Sequence, residues 1–434
     1  MVSKDTIFAL STVPGKSGIA VIRLTGKESF STVEKLAGDC PKFRQASLRY
    51  LKHNSEVLDQ AIVLCFPCGA SFTGEDMAEF HIHGSPAVVR SLSKVFTKDF
   101  GLRIAEPGEF TRRALENECL DLVQAEGLLD LINSETKEQQ NQSIKAISGK
   151  FSSKTGQWRE DLLLALSLIE LMIDFSDEDV PENTTEEVTN LIDRMLLELQ
   201  EELKYYKRAE IIREGYDVAI IGRPNAGKSS LLNRIAGSER SIVSDFAGTT
   251  RDIIEVSIDL KGYRVNFFDT AGIQKTENSV ERIGIERSIK RAKTADLRVI
   301  LLEPGQNLEV FKGMIRRNDI IFCSKADLQE FKPYPGISSQ TGLGLDLLFA
   351  RIEKSMLSVS KYSGILLNER HSKAVAETRK MLLTVRSDLK SEVLKVEIIA
   401  EGLRLAIREI DLLIGKINVE DILGKVFSSF CIGK

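Results

Sequence analysis

The stretch Gly222-Arg223-Pro224-Asn225-Ala226-Gly227-Lys228-Ser229 decides the fold. An apolar run, Val218-Ala219-Ile220-Ile221, precedes it, and a segment of helical period, Ser230-Leu231-Leu232-Asn233-Arg234-Ile235-Ala236, follows until Gly237 stops it. A strand, a glycine-bounded loop and a helix in this order form a phosphate-binding P-loop. The glycines let backbone N–H groups close around phosphate oxygens, Lys228 reaches the outer phosphates, and the Ser229 hydroxyl ligates magnesium. Asn225, Ala226, Gly227, Lys228, Ser229 and Ser230 are therefore expected to hold a nucleoside triphosphate, with Lys228 also serving the catalytic step.

Working outward, the flanking elements select GTP. Asp269-Thr270-Ala271-Gly272 follows a predicted strand, Tyr263-Arg264-Val265-Asn266-Phe267-Phe268, which places Asp269 near the magnesium and the Gly272 N–H where it can sense the γ-phosphate. Gly248-Thr249-Thr250-Arg251-Asp252 reads as a switch I loop with Thr250 as second magnesium ligand, and Ser244-Asp245-Phe246-Ala247 just ahead of it join the nucleotide contacts. A further apolar strand, Ile320-Ile321-Phe322-Cys323, ends in Ser324-Lys325-Ala326-Asp327. An aspartate there accepts two hydrogen bonds from guanine that adenine cannot supply, a difference worth roughly 10⁴ in discrimination. Ser324 stands where this element usually begins with Asn. Ser338-Ser339-Gln340-Thr341-Gly342 would offer backbone N–H groups to guanine O6. Ile273 occupies the place where a Ras-like enzyme carries its water-orienting glutamine, and Gln274 lies one residue too far along. Hydrolysis therefore needs another source of positive charge and another polar group to hold water.

Composition bounds the rest. A chain of 434 residues should hold two to four domains, and 42% apolar with 28% charged residues is ordinary for a soluble globular protein. With a net charge of −4, any contact with RNA must use a local patch. Met1-Val2-Ser3-Lys4-Asp5-Thr6 carries no signal-peptide pattern, and no apolar run approaches the ~20 residues of a membrane span, so a cytosolic protein with no membrane contact is expected. Cys65 and Cys68 have CxxC spacing, but Pro67 lies between them and no second pair exists. His81 and His83 share one face of a predicted strand, where packing or hydrogen bonding is the better reading than metal. Cys431-Ile432-Gly433-Lys434 outlines a prenylation box with ill-fitting last residues, and lipidation is rejected.

The expected architecture is multidomain, α/β plus all-α. Residues 1–118 mix strands (Ile19 to Leu24, Gln60 to Cys65, Ala78 to His83) with a helix over Ala87 to Phe96, as an N-terminal α+β domain. Residues 119–215 turn helical, with stripes Leu162, Leu166, Ile169, Ile173 and Ile192, Met195, Leu196, Leu199, and a break near Pro181. Residues 216–357 form a Ras-like P-loop GTPase domain, and residues 358–434 resume the helical pattern, as in Ala374, Val375, Met381, Leu382 and Val385. Neither helical block can satisfy its stripe alone, which suggests a bundle split in sequence with the GTPase domain inserted.

With these elements in order, the whole chain resembles the MnmE (TrmE) family of tRNA modification GTPases, of the TrmE-Era-like class. Its marks are Asp5-Thr6-Ile7, Pro14-Gly15, Ile22-Arg23, Ser71-Phe72-Thr73-Gly74-Glu75-Asp76, Pro107-Gly108-Glu109-Phe110, Leu120-Asp121-Leu122-Val123-Gln124-Ala125-Glu126 and the terminal Phe427-Ser428-Ser429-Phe430-Cys431-Ile432-Gly433-Lys434. The resemblance implies an N-terminal domain that dimerises and binds a 5-formyl- or 5,10-methylene-tetrahydrofolate, and G domains that pair across the homodimer. It implies a flavoprotein partner, MnmG, with which an aminomethyl or carboxymethylaminomethyl group is placed on C5 of the wobble uridine of certain tRNAs. Asn225 is similar to the P-loop asparagine of potassium-activated GTPases, which implies K⁺ held by Asn225, carbonyls of Ser244 and Phe246, and Thr249 nearby. Glu281 is then the water-holding candidate, against its plain reading as a solvated helix carboxylate. By motif position Arg23, Glu79 and Lys434 would contact folate, with Cys119 at a fourth position that usually holds Lys. Cys431 matches a cysteine near the one-carbon site, either as nucleophile or as pocket lining. The rival readings are a ribosome-assembly switch GTPase, for which no GxxG clamp is present in a matching context, and a dynamin-like assembly GTPase, for which membrane-binding loops are absent.

Overall fold

The computed structural model describes residues 5–174, 183–242, 255–269, 293–311, 315–329, 333–357, 368–391 and 393–415, and, singly, Phe427, Phe430 and Gly433. The chain divides into two compact units, one of residues 1–129, 146–164 and 404–434, the other of residues 130–145 and 165–403.

In the first unit a six-stranded sheet runs β3-β4-β5-β2-β1-β6. Its strands are β1 (Ile7–Leu10), β2 (Ser17–Thr25), β3 (Ser47–His53), β4 (Glu56–Phe66), β5 (Met77–Gly84) and β6 (Arg103–Ile104). All neighbours are antiparallel except β1 and β6. Alternation sets the faces: Ile22, Leu24, Ala61, Val63, Ala78, Phe80 and Ile82 point into one core beneath α1 (Ser29–Ala37) and α2 (Pro86–Lys94). Ser85 caps α2 by accepting from the Ala87 N–H, and Pro86 takes the first turn, where its missing N–H costs nothing. The helix expected to reach Phe96 ends at Lys94 and widens into a π turn over Val95–Asp99.

The opposite face, near β1, is covered by α3 (Glu109–Glu116), where Phe110 packs on Ile7, Ala9 and Ala105. Behind it lies a charge network. Arg103 pairs with Asp5 (2.6 Å) and Glu109 (2.5 Å), while Arg113, 4% exposed, reaches Asp5, Glu75 and Glu109 at 3.1 Å each. The hydrogen bond from Arg103 holds the Asp5 carboxyl below its ordinary value. Burial pushes Glu109 up, but Arg103, the Glu106 N–H and Arg113 together hold it below the usual range. Helices α4 (Leu122–Ile132) and α5 (Lys137–Ile147) follow, then α6 (Lys150–Asp174). In α6 the buried stripe is Phe151, Thr155, Trp158, Leu162, Ala165 and Ile169. Of the expected residues Leu162 and Ile169 lie on it, whereas Leu166 and Ile173 are half-buried, because Trp158 and Ala165 set the phase.

The second unit carries a five-stranded sheet in the order β11-β10-β7-β9-β8. Its strands are β7 (Tyr216–Gly222), β8 (Glu255–Leu260), β9 (Tyr263–Asp269), β10 (Leu297–Leu302) and β11 (Ile320–Cys323), parallel except for the β8–β9 hairpin. Central β10 is buried along its whole length and β7 along most of it, as expected of strands covered on both faces. Helix α8 (Lys228–Ala236) and helix α9 (Leu345–Leu357) supply Leu231, Leu232, Leu348 and Ile352 to the core under the sheet. Chain order reverses on the two sides of β7, so its carboxyl end opens a crevice suited to a nucleotide. The long α7 (Thr184–Glu214) buries Val188, Ile192, Met195, Leu196 and Leu199, the stripe expected from sequence. Helix α10 (Glu369–Leu389) packs along α7 with Arg379 on Gln200 (3.1 Å) and Arg386 on Asp193 (2.5 Å), which joins parts of both helical blocks. In the first unit Arg159 of α6 likewise pairs with Asp411 of α11 (Val396–Ile414) at 2.6 Å. Among the described residues no helix is long and apolar enough to cross a membrane.

Candidate functional site

The P-loop joins β7 to α8. Gly222 packs closely on its neighbours: a Cβ there would stand 3.0 Å from the Leu301 carbonyl oxygen and 3.1 Å from the Ala226 Cβ. Gly227 takes a left-handed conformation (φ 84°), and Asn225 (φ 67°) does so without being glycine. This double reversal turns successive N–H groups inward at the helix start, the arrangement that binds phosphate. Lys228 is buried, and its Nζ donates to the carbonyls of Gly222 and Arg223 at 2.9 Å each. Burial pushes the Lys228 pKa down, while the charges of Asp269 and Glu303 act against that shift. The Ser229 Oγ donates to Asp269 Oδ2 at 2.8 Å, so a hydroxyl from the loop and a carboxylate from the end of β9 meet at one point. An oxygen pair of this kind suits a hard divalent cation such as magnesium. Ser230 follows on the exposed side of the helix, and Ala226 is fully buried beneath the loop.

The guanine-reading element forms at the neighbouring strand end. Ser324 is buried, and both its N–H (2.8 Å) and its hydroxyl (3.1 Å) donate to the Leu302 carbonyl. Its side chain is thus spent on the strand behind it. Lys325, at φ 58°, turns the chain so that Asp327 projects outward, where Oδ1 accepts from the Ser338 hydroxyl at 2.5 Å. Ser338 in turn accepts from the Thr341 N–H (3.2 Å) and holds the Gly342 N–H through its carbonyl (3.0 Å). The two segments, 11 residues apart in sequence, therefore form one unit with half-buried Ser339 beside it. Sequence reasoning missed Glu303, one residue past β10, whose carboxylate pairs with Lys325 at 3.1 Å and attracts Lys228. The available signal was a lone carboxylate directly after the apolar run Val299–Leu302.

The second predicted site lies in the first unit. Arg23 and Glu79 are cross-strand partners, bonded at 2.9 Å, and the His81 Nε2 meets the other Glu79 oxygen at 3.2 Å. The Arg23 guanidinium stands 5.8 Å from the Phe72 ring centre and 6.0 Å from that of Phe110. Cys119 is exposed and packs so closely on Gly74 that a Cβ there would meet its sulfur at 2.8 Å. The carboxyl-terminal segment closes on the same unit. Gly433 accepts from the Ser11 hydroxyl at 3.1 Å, and Phe427 lies against Gly108, where a Cβ would sit 2.7 Å from the Phe427 oxygen. Since Leu10 pairs with Ile22, Gly433 arrives one strand away from Arg23. Cys65 of the CxxC spacing is sealed in the core, with its thiol pushed up to about 12 by burial, while Cys68 is exposed. His83 bonds Asp59 at 2.7 Å. Ser244, Asp245, Phe246, Ala247, Gly248, Thr249, Thr250, Thr270, Ala271, Gly272, Glu281, Cys431 and Lys434 lie outside the described residues.

A family described as "MnmE helical domain" matches residues 122–431, and one described as "GTP-binding protein TrmE N-terminus" matches residues 6–119. A protein of Cereibacter sphaeroides named tRNA modification GTPase MnmE is 48% identical over 432 residues, covering 99% of this chain and 100% of the relative. One of the same name from Dinoroseobacter shibae is 44% identical over 432 residues with the same coverage. Among solved structures, Aquifex aeolicus Era bound to GDP and aluminium fluoride matches 41% of this chain and 68% of its own at 22% identity, with a TM-score of 0.26.

Proposed function

As a chain that belongs to the MnmE family of tRNA modification GTPases, this protein is a GTPase, and we propose that it spends GTP hydrolysis on building a C5 substituent on the wobble uridine of certain tRNAs. The observation that carries the GTP half is the convergence of Ser229 on Asp269 at 2.8 Å and of Ser338 on Asp327 at 2.5 Å, both at the carboxyl ends of parallel strands. In this reading Lys228 and the helix-start N–H groups neutralise the phosphates, Ser229 and Thr250 hold Mg²⁺, and Asp327 reads guanine. K⁺ would sit against Asn225, whose left-handed backbone turns the loop at that point, completed by Ser244, Phe246 and Thr249. Glu281 would hold the attacking water. A cation bound there would add positive charge at the transferred phosphoryl group, as an arginine finger does elsewhere.

For the folate half, the donor set fits. Arg23 and Glu79 present a paired cation and carboxylate beside the Phe72 and Phe110 rings, which suits a flat heterocycle with a hydrogen-bonding edge. Docking of Gly433 on Leu10 and Ser11 supports a role there for Lys434, the next residue, and for Cys431, two residues before, with Cys119 at the rim. Bound folate would supply a one-carbon unit; these residues would orient it. The partners in this reading are a second copy of the chain, the flavoprotein MnmG and tRNA, in the cytoplasm.

Sequencing of wobble positions in tRNA from cells lacking the gene tests the reading, with loss of C5 modification expected and intact wobble uridines overturning it. GTP turnover is expected to be faster in potassium than in sodium buffer. Equal rates would remove the Asn225 assignment and leave the rest.

A further inference from the structure

The second unit holds a polar contact that the nucleotide chemistry does not use. The hairpin of β8 and β9 turns at Lys261 (φ 57°) and Gly262 (φ 87°), the two-residue turn that demands positive φ at both positions. Its far end is Asp269, in contact with Ser229, and its turn end meets the start of α5. Seven residues of strand separate the ends, a span of roughly 23 Å. At the turn, the Gly262 carbonyl accepts from the Glu138 N–H at 3.1 Å, one of the donors that a helix start leaves unpaired. Arg264, the next outward-facing residue but one, pairs with Glu135 at 2.8 Å.

Both sides of this contact are braced. Arg264 is aimed by hydrogen bonds to Asn266 Oδ1 (2.9 Å) and Ser257 Oγ (3.2 Å). Buried Asn266 donates to the Glu214 carbonyl and to Asp217, each at 3.0 Å, and stands so near Gly215 that a Cβ there would lie 2.5 Å from its amide nitrogen. On the helix side, Thr136 and Gln139 form a capping box in which Gln139 Oε1 accepts from the N–H groups of Glu135 (2.9 Å) and Thr136 (3.1 Å). The Gln139 amide then donates to the Arg213 carbonyl at 3.1 Å. One hairpin is thus tied to the start of α5 and to the last turn of α7, and its other end is a residue of the candidate magnesium site.

We propose that the β8–β9 hairpin is a strut that transmits the nucleotide state from Asp269 to the start of α5 through Arg264 and Glu135, alongside the covalent connection at Gly215. Strand β9 is bonded to β8 on one side and, from Val265 to Asp269, to β7 on the other, so a shift imposed at Asp269 is carried along the strand to the turn. Exposed ion pairs are singly weak, which lets this one be remade when the turn moves. Arg264 and Asn266 are positioning residues in this scheme, since neither touches the phosphates. The inference rests on GTP binding alone and not on the tRNA reading.

The test is amide hydrogen exchange of the full-length chain with GDP and with a non-hydrolysable GTP analogue, read over residues 133–142, with analogue affinity measured separately. The wild type should show exchange in this segment that differs about threefold or more between the two nucleotides. Arg264→Glu and Glu135→Arg should each remove the difference with analogue affinity within about threefold of wild type, and the double charge swap should restore it. Glu135→Gln, a mild change in a loop, should weaken it and guards against misfolding of the reversals. An unaltered difference in Arg264→Glu, a double variant no better than the singles, or no difference in the wild type would each overturn the proposal.

Discussion

The two sheets put their candidate sites together by opposite routes. In the five-stranded, mostly parallel sheet, each site residue sits at the carboxyl end of a strand or just beyond it: Lys228 and Ser229 after β7, Asp269 at the end of β9, Asp327 after β11. Each element is a short contiguous motif, and a parallel sheet places all such ends on one edge. In the six-stranded sheet, Arg23 and Glu79 meet on a face, across paired strands 56 residues apart. The Gly433 contact adds a tail 422 residues distant from Ser11. The first site therefore depends on local chain geometry and the second on long-range packing. Substitutions should respond accordingly: changes at the strand ends should alter ligand choice with little effect on stability, and changes around the face should alter stability.

The largest effect that would sharpen this contrast is on base choice. Asp327→Ala should lower the preference for GTP over ATP by roughly 10³- to 10⁴-fold, measured by competition binding, with unfolding barely changed. An unfolding midpoint that fell together with specificity would break the contrast at the strand ends. Next is Arg113→Met in the N-terminal unit. Removing the cation leaves the carboxylates of Asp5, Glu75 and Glu109 without it, and Arg113 is 4% exposed, so a loss of about 3 kcal/mol is expected in urea unfolding. A loss below about 1 kcal/mol would mean that the network is not what holds β1, β6 and α3 together. Smaller again, Gly108→Val places side-chain carbons where the Phe427 oxygen lies 2.7 Å from a Cβ, at a φ of 72° that a β-branched residue resists. Carboxypeptidase should then remove the last residues several-fold faster than in the wild type. Unchanged resistance would put the docking of the tail elsewhere.

The smallest expected effect is in pH dependence. Glu109 has a folded pKa below its ordinary value near 4.5, so it contributes stability in full above that value and loses it as pH falls through the lowered folded pKa. Glu109→Gln should therefore shallow the acid limb of the stability curve below about pH 4.5 and leave GTP turnover near neutrality unchanged. An acid limb of the same slope would count against the Arg103 pairing.

Much of this was legible in the residues. The P-loop, the strand Ile320–Cys323 before Asp327 and the stripe of α7 follow from local spacing, and their elements lie where that spacing placed them. The phase of α6 was not legible, because which of Trp158, Ala165, Leu166 and Ile173 faces inward depends on what packs against the helix. Nor was the π turn after α2, or the role of Glu303, whose partner Lys325 lies 22 residues on. Nothing in the chain around Arg103 and Arg113 points to the carboxylates of Asp5, Glu75 and Glu109, which only folding brings to them.

By itself the sequence determined the nucleotide class and the strands and helix around the P-loop, because that chemistry is encoded within a few successive residues. Only the tertiary structure decided where Arg23 finds Glu79 and two aromatic rings, that Gly433 closes on β1, and that Glu135 reaches Arg264. Those pairings bring together residues far apart in the chain, and nothing in local spacing specifies a partner that only folding makes near.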